Sequence, residues 1–157
     1  MDQKFKKIAA LIVLVVLIAI WFLLPDNKDE VHLERCVDGD TAWFEVDGES
    51  FKTRFLAIDA PEYTKKIEPW GKEASEMTCA LLKEADKIEL ESDPNADRTD
   101  DYDRKLVWVF VDGELLQETL VREGLAEVTY LYDDYKYTDK LFKAQDLAKE
   151  EHLGIWE

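Results

Sequence analysis

The chain has 157 residues, enough for one domain with a true hydrophobic core. Its 36 acidic side chains outnumber 20 basic ones for a formal charge of −16, which excludes the broadly basic surface that draws in a polyanion at long range, so any phosphate site must be a local cationic spot assisted by a metal. The two cysteines, Cys36 and Cys79, are too few for a disulfide framework; they could pair outside a cell, but they read better as small, partly buried hydrophobes.

Residues 8–24 are an unbroken run of 17 apolar side chains, preceded by Lys4, Lys6 and Lys7 and closed by Pro25-Asp26. A helix of that length covers about 26 Å, close to the hydrocarbon thickness of a bilayer. The run stays bulky to its last residue and lacks an Ala-x-Ala-like end, so it predicts an uncleaved single-pass membrane anchor over residues 1–25 rather than a removed signal. The lysines would stay in the cytoplasm and place the rest of the chain outside the cell; if the segment is cleaved, the protein is secreted. Since Lys4, Lys6 and Lys7 face only Asp2, residues 1–25 carry +2 and residues 26–157 carry −18.

Residues 26–30 read as a polar linker, and residues 31–157 as the domain. Three strand-like runs follow, over 31–37, 41–46 and 50–58. Asp47-Gly48 between the second and third is a strong hairpin signal. Asp38-Gly39-Asp40-Thr41, between the first and second, is a tight turn that brings two carboxylates together. From Arg54 the alternation predicts Phe55 and Ala57 on one side of a strand and Arg54, Leu56 and Ile58 on the other. Ala60-Pro61 then forces an extended turn. Arg54, Asp59 and Glu62 would so be presented at one rim, a grouping that suits a metal ion, a phosphate and an activated water; a salt-bridged edge strand ending in a Pro turn is the plainer reading.

Residues 63–69 read as a polar loop. A helical pattern starts at Trp70, with Ala74, Met77, Thr78, Leu81 and Leu82 on one face. Residues 87–91 read as a strand, 92–105 as a charged loop, and 106–111 as a buried strand. Asp112-Gly113 turns the chain into a helix over 114–123, with Gly124 as its cap. Residues 125–132 are strand-like. Thr138 is placed to cap a last helix that runs to about residue 152, with Gly154 past its end. This order predicts an α+β domain with segregated elements, for which a five-stranded Greek-key barrel of the OB type is one option among several.

The separated motifs Val37-Asp38-Gly39-Asp40-Thr41, Arg54 to Glu62, Gly71-Lys72-Glu73-Ala74-Ser75, Arg98-Thr99-Asp100 with Tyr102 and Arg104, and Leu120 to Ala126, in that order, resemble the staphylococcal nuclease-like (thermonuclease) family of calcium-dependent phosphodiesterases. The resemblance covers nearly all of residues 31–157. It implies an OB-fold five-stranded barrel with three helices, a DNA or RNA substrate, and cleavage of the 5′ P–O bond. It further implies that Asp40, Asp59 and the backbone carbonyl of Ala60 hold Ca2+, with Asp38 just behind them. Glu62 is implied as the general base, Arg54 and Arg104 as the phosphate-gripping pair, and Tyr102, Tyr130 and Tyr132 as the lining of the nucleotide pocket. Hard oxygen donors of this kind suit calcium better than zinc.

Two departures stand out. Asp103 occupies a position where the family usually has Gly, and Asp101 one where a basic residue often lies, so that with Asp100 they would surround Arg104 with anions. The alternative to a nuclease is a non-catalytic, membrane-tethered OB module that binds protein or single-stranded nucleic acid; a metal-binding surface protein is a third option. Nothing in the sequence points to a protein partner.

Overall fold

The computed structural model describes residues 12–16 and 28–157. The first strand, β1 (Lys28–Cys36), pairs antiparallel with β2 (Thr41–Val46) on one side and with β5 (Ile88–Glu91) on the other. β2 continues antiparallel into β3 (Glu49–Phe55), and β6 (Lys105–Val111) joins β5 antiparallel. A short parallel pairing of β3 with β6, Thr53 with Lys105 to Phe55 with Val107, closes the five strands into the expected barrel. Two further pieces complete the strands: β4 (Ile58–Asp59) pairs antiparallel with β8 (Glu127–Val128), and β7 (Glu114–Leu115) adds to β6.

Three α-helices pack on the barrel: α1 (Gly71–Glu84), α2 (Leu116–Arg122) and α3 (Thr138–Glu150), followed by a short 3-10 turn over Gly154–Trp156. α1 buries Gly71, Ala74, Thr78 and Leu82, the three-to-four spacing that the sequence pattern requires. Phe44 and Phe55 from the strands, Leu82 from α1, Leu120 from α2 and Leu141 from α3 share one fully buried core. Where β3 runs out beside β6, the buried Gln117 of α2 takes over as its partner. Its Nε2 donates to the Val107 carbonyl at 3.0 Å and its Oε1 accepts from the Val109 amide at 3.1 Å, so no main-chain group of β6 is orphaned there.

Several expectations are corrected. β1 begins at Lys28, inside the stretch read as a linker, because Lys28 to Glu30 find partners in β5. The strand read over 50–58 breaks at Leu56-Ala57, where Ala57 takes φ +62°, and residues 55–58 are all buried rather than alternating. The helix read from residue 114 starts at Leu116, and the strand read over 125–132 shrinks to two residues. Thr138 makes no N-cap bond; its hydroxyl donates back to the Tyr135 carbonyl. Past α3, Gly154 lies beyond the helix end as expected, with φ +55°, but His152 turns left-handed before it, at φ +53°. Cys36 and Cys79 are not separate hydrophobes: they form a disulfide from the end of β1 to the middle of α1.

Of the anchor expected over residues 8–24, only 12–16 are described; they are helical, with Ile12 to Val16 exposed. The remainder lies outside the described residues. Among the described residues no helix is long and apolar enough to cross a membrane.

Candidate active site

The register of one hairpin builds the site. Asp47 and Gly48 both take positive φ, +52° and +82°, the conformation of a two-residue I′ turn that matches the twist of its strands. That turn fixes Val46 opposite Glu49, and five residues further along each strand it sets Thr41 opposite Arg54. Asp40, one residue before β2, therefore lies beside Arg54, and its carbonyl accepts the Phe55 amide at 2.9 Å.

The Leu56-Ala57 turn then folds Asp59 back onto the same guanidinium. Arg54 Nη1 donates to the Ile58 carbonyl at 2.9 Å and lies 3.0 Å from Asp40 Oδ2; Nη2 meets Asp59 Oδ1 at 2.9 Å. The arginine side chain is only 12% exposed and Asp40 is buried, so the Asp40 arm of the bridge is shielded from bulk water, while the Asp59 arm stays open at 42% exposure. Asp40 is fixed further by the Thr41 hydroxyl on Oδ1 and the Ala60 amide on Oδ2, both at 2.9 Å. The β4–β8 pairing places Asp59 opposite Glu127, and the buried Gln145 of α3 holds β8 by accepting the Val128 amide at 2.7 Å.

The three aspartates all hold their protons more tightly than usual. Burial, then the neighbouring Asp40 charge, pushes Asp38 up to about 6. Burial raises Asp40 even against the opposing pull of Arg54, and raises Asp59 likewise. One guanidinium thus faces more carboxylate than it can neutralise.

Glu62 lies three residues past Asp59, close enough for its charge to help raise Asp38. Its own carboxylate accepts the Thr64 hydroxyl and, at 2.9 Å, the Thr64 amide, and these bonds lower its pKa. Its main chain is pinned from both sides: Glu68 accepts the Glu62 amide at 3.1 Å and donates its own amide to the Glu62 carbonyl at 2.9 Å. A Cβ on Gly71 would lie 2.5 Å from that carbonyl, so the start of α1 presses directly on the Glu62 backbone.

Arg104 arrives from the loop before β6. Its Nε and Nη2 both sit 2.7 Å from Asp100 Oδ2. Of the three acids expected to crowd it, only Asp100 pairs with it; Asp101 and Asp103 are exposed. Arg54 and Arg104 meet across one cavity of about 300 Å³ that Tyr102, Tyr130 and Tyr132 also line. Tyr102 and Tyr132 are 81% and 83% exposed, open faces on which a planar ring could stack, and Tyr130 lies with its ring centre 5.5 Å from the Arg54 guanidinium carbon.

A profile of the family described as staphylococcal nuclease homologue matches residues 52–157. The chain belongs to that family. It is 44% identical over 132 residues to the SPbeta prophage-derived endonuclease YokF of Bacillus subtilis (strain 168), covering 81% of this chain and 44% of that protein. To endonuclease YncB of the same strain it is 41% identical over 142 residues, 84% of this chain and 66% of that protein. To the thermonuclease of Staphylococcus hyicus it is 34% identical over 133 residues, 83% of this chain and 77% of that protein. The chain thus spans less than half of the first relative and just under two thirds of the second.

A staphylococcal nuclease homologue implies a metal, and the donor set fits one. Among the described residues no three His, Cys, Asp or Glu side chains are grouped to cage an ion. What converges is Asp40 and Asp59 beside the Ala60 main chain, with carboxylate charge in excess over Arg54. These are hard oxygen donors, with no His or Cys among them, and such donors suit calcium or magnesium rather than zinc. Four residues to which the sequence reading gave no part in the site support it: Thr41 and Thr64 orient the two key carboxylates, Thr78 donates to the Gly39 carbonyl at 2.8 Å, and the buried Tyr135 backs the tyrosine cavity. A hydroxyl one or two positions after a carboxylate is the sequence signal for the first two.

Proposed function

We propose that the chain is a calcium-dependent phosphodiesterase that hydrolyses DNA or RNA at the Asp40–Arg54–Asp59 centre. The observation that carries this reading is the placement of Arg54. It lies 2.9–3.0 Å from both aspartates and opens onto a cavity that it shares with Arg104 and three tyrosines. The names endonuclease and thermonuclease borne by the relatives support it.

In this reading the tyrosines receive a nucleoside, and the two guanidiniums fork onto oxygens of the adjoining phosphate. Their hydrogen bonds strengthen as charge builds in the transition state. Glu62 takes a proton from the attacking water or orients it. Thr64 aims that carboxylate and, by lowering its pKa, holds it ionised as a proton acceptor of reduced basicity. A calcium ion held by Asp40, Asp59 and the Ala60 carbonyl would offset the phosphate charge. Asp38, behind them, would supply further negative charge to the ion.

The run over residues 8–24 would anchor the domain on the outer face of a membrane. The exposed apolar helix at 12–16 supports this, as does the Cys36–Cys79 disulfide, which belongs to an oxidising compartment.

The test is a digest of DNA and RNA by the full chain in detergent, with calcium, with EDTA, and with the Glu62→Gln variant. Calcium-dependent cleavage should fall by orders of magnitude in the variant. Digestion that persists in EDTA would remove the metal, and full activity in Glu62→Gln would remove the assigned base. Tight binding without cleavage in calcium would favour a binding module.

A further inference from the structure

We propose that Cys36 and Cys79 are positioning residues: their disulfide is the staple that holds the Asp38-Gly39-Asp40 loop in its metal-binding shape. This rests on the reading of Asp40 as a calcium ligand. Cys36 pairs with Ala42 at the base of the β1–β2 connection, so the loop of residues 37–41 springs directly from the cross-linked position.

The loop holds itself weakly. The Val37 and Asp38 amides share one acceptor, the Thr41 carbonyl, each at 3.2 Å, and the Asp40 amide reaches Asp38 Oδ1 only at 3.3 Å. Apart from the Thr41 hydroxyl on Asp40 Oδ1 at 2.9 Å, its firm attachments come from outside. On one side, Asp40 binds the Ala60 amide and Arg54. On the other stands α1, where adjacent residues do two jobs: Thr78 donates to the Gly39 carbonyl at 2.8 Å, and Cys79 makes the cross-link. Gly39 is wedged so tightly between these walls that a Cβ there would lie 2.6 Å from the Ala60 Cβ and 2.9 Å from the Ala74 Cβ. α1 thus forms one wall of the seat in which Gly39 is wedged, and the disulfide ties that wall covalently to the strand from which the loop springs.

Both cysteines are partly exposed, so a small dithiol can reach them. Reduction passes two electrons and two protons to the sulfurs, breaks the S–S bond and leaves the dithiol as a disulfide. The loop then loses its covalent tie to α1 and keeps only the Thr78 bond there, so the frame that presents Asp38 and Asp40 to a cation loosens.

The test compares the full chain with its Cys36→Ser/Cys79→Ser variant, metal-free and well below the melting temperature. Amide hydrogen exchange of residues 37–41 should speed up at least tenfold in the variant while β5 and β6 keep their protection. Calorimetric titration should show calcium binding at least tenfold weaker. Unchanged exchange in the loop, an equal acceleration in β5 and β6, or an unchanged calcium affinity would each overturn the proposal. Should the variant not fold, linkage gives a second measurement on the natural chain, since a metal that needs the staple must in turn protect it. Reduction of the disulfide by dithiothreitol should slow at least fivefold in saturating calcium, and an equal rate with and without calcium would overturn the proposal. The exchange measurement involves no nucleic acid, so loosening of the loop in a chain that cleaves nothing would defeat the nuclease reading and leave the staple standing.

Discussion

Arg54 bridges two carboxylates and, in the proposed reading, also grips a phosphate, a combination that calls for its planar fork. Nη1 is committed to the Ile58 carbonyl and Asp40, and Nη2 to Asp59. A lysine would keep the cation between the acids and lose the fork. Arg54→Lys should therefore fold with a melting temperature near that of the parent but lose about 10²-fold or more in kcat, the scale of one preorganised oxyanion donor. Steady-state kinetics beside a thermal melt check this; a variant that loses stability and not kcat would reduce Arg54 to a structural ion pair. Asp38 gives a prediction in pH. Folded and metal-free, it titrates at about 6 against an ordinary 3.8, so the native state binds the extra proton between those values. Its contribution to stability consequently falls as pH rises through that window. In EDTA, Asp38→Asn should flatten the fall in melting temperature toward pH 6 and leave a smaller slope from Asp40 and Asp59, whose pKa values are raised in the same direction. An unchanged slope would mean that Asp38 does not carry it.

At the scale of elements, the joints rather than the strands and helices decide where the site residues go, and joints are what the sequence expresses least well. The first strands were legible from alternation and from Asp47-Gly48, but the proximity of Asp40 and Arg54 came only from the family resemblance, and the hairpin register explains it. The break after β3 was not legible: Leu56-Ala57 is an apolar pair with no Gly or Asn, yet Ala57 takes φ +62°, held there by burial on all sides. The disulfide was hidden for a similar reason, since only the fold brings β1 against α1. Family resemblance marked Glu62 and Arg104 as candidates, but not the threonines that hold the carboxylates, because such bonds depend on local turn geometry. Asp103 accepts φ +58° where glycine would be unstrained, and the loop still delivers Arg104 to Asp100. The joint between α2 and the C-terminal turn is stricter. Gly124 has φ +67°, its carbonyl accepts the Ile155 amide at 2.9 Å, and a Cβ on it would lie 2.1 Å from the Leu153 carbonyl oxygen. Gly154 faces it under the same restriction, with a Cβ 2.0 Å from the Gly124 carbonyl oxygen. Gly124→Ala should cost about 3 kcal/mol through strain and overpacking, seen as a drop of roughly 10 °C in melting temperature. A drop of only a degree or two would show that the turn yields easily.

For the whole molecule, covalent constraint and charge work in opposite directions. The cross-link closes a separation of 43 residues that contains the hairpin, Arg54, Asp59 and Glu62, and by loop entropy it stabilises the fold by about 4 kcal/mol. Against this, residues 26–157 carry −18, which repels itself and any nucleic acid. An ordinary basic nucleic-acid binder loses affinity steeply as salt rises, because each lysine or arginine that meets a phosphate releases a counterion. Here the proposed phosphate contacts are confined to Arg54, Arg104 and the metal, so that local loss is small. The long-range repulsion spans the whole domain and is screened over about 10 Å at 0.1 M salt and about 3 Å at 1 M. The larger of the two effects is therefore relieved, not aggravated, by salt. At saturating calcium, kcat/KM on single-stranded DNA should hold level or rise between about 0.05 and 0.3 M NaCl, with the change in KM rather than kcat, because screening acts on encounter and not on the chemical step. A steep fall over that range would mean that substrate meets a basic surface that the charge distribution does not provide, and the view of an acidic domain with one local cationic site would fail.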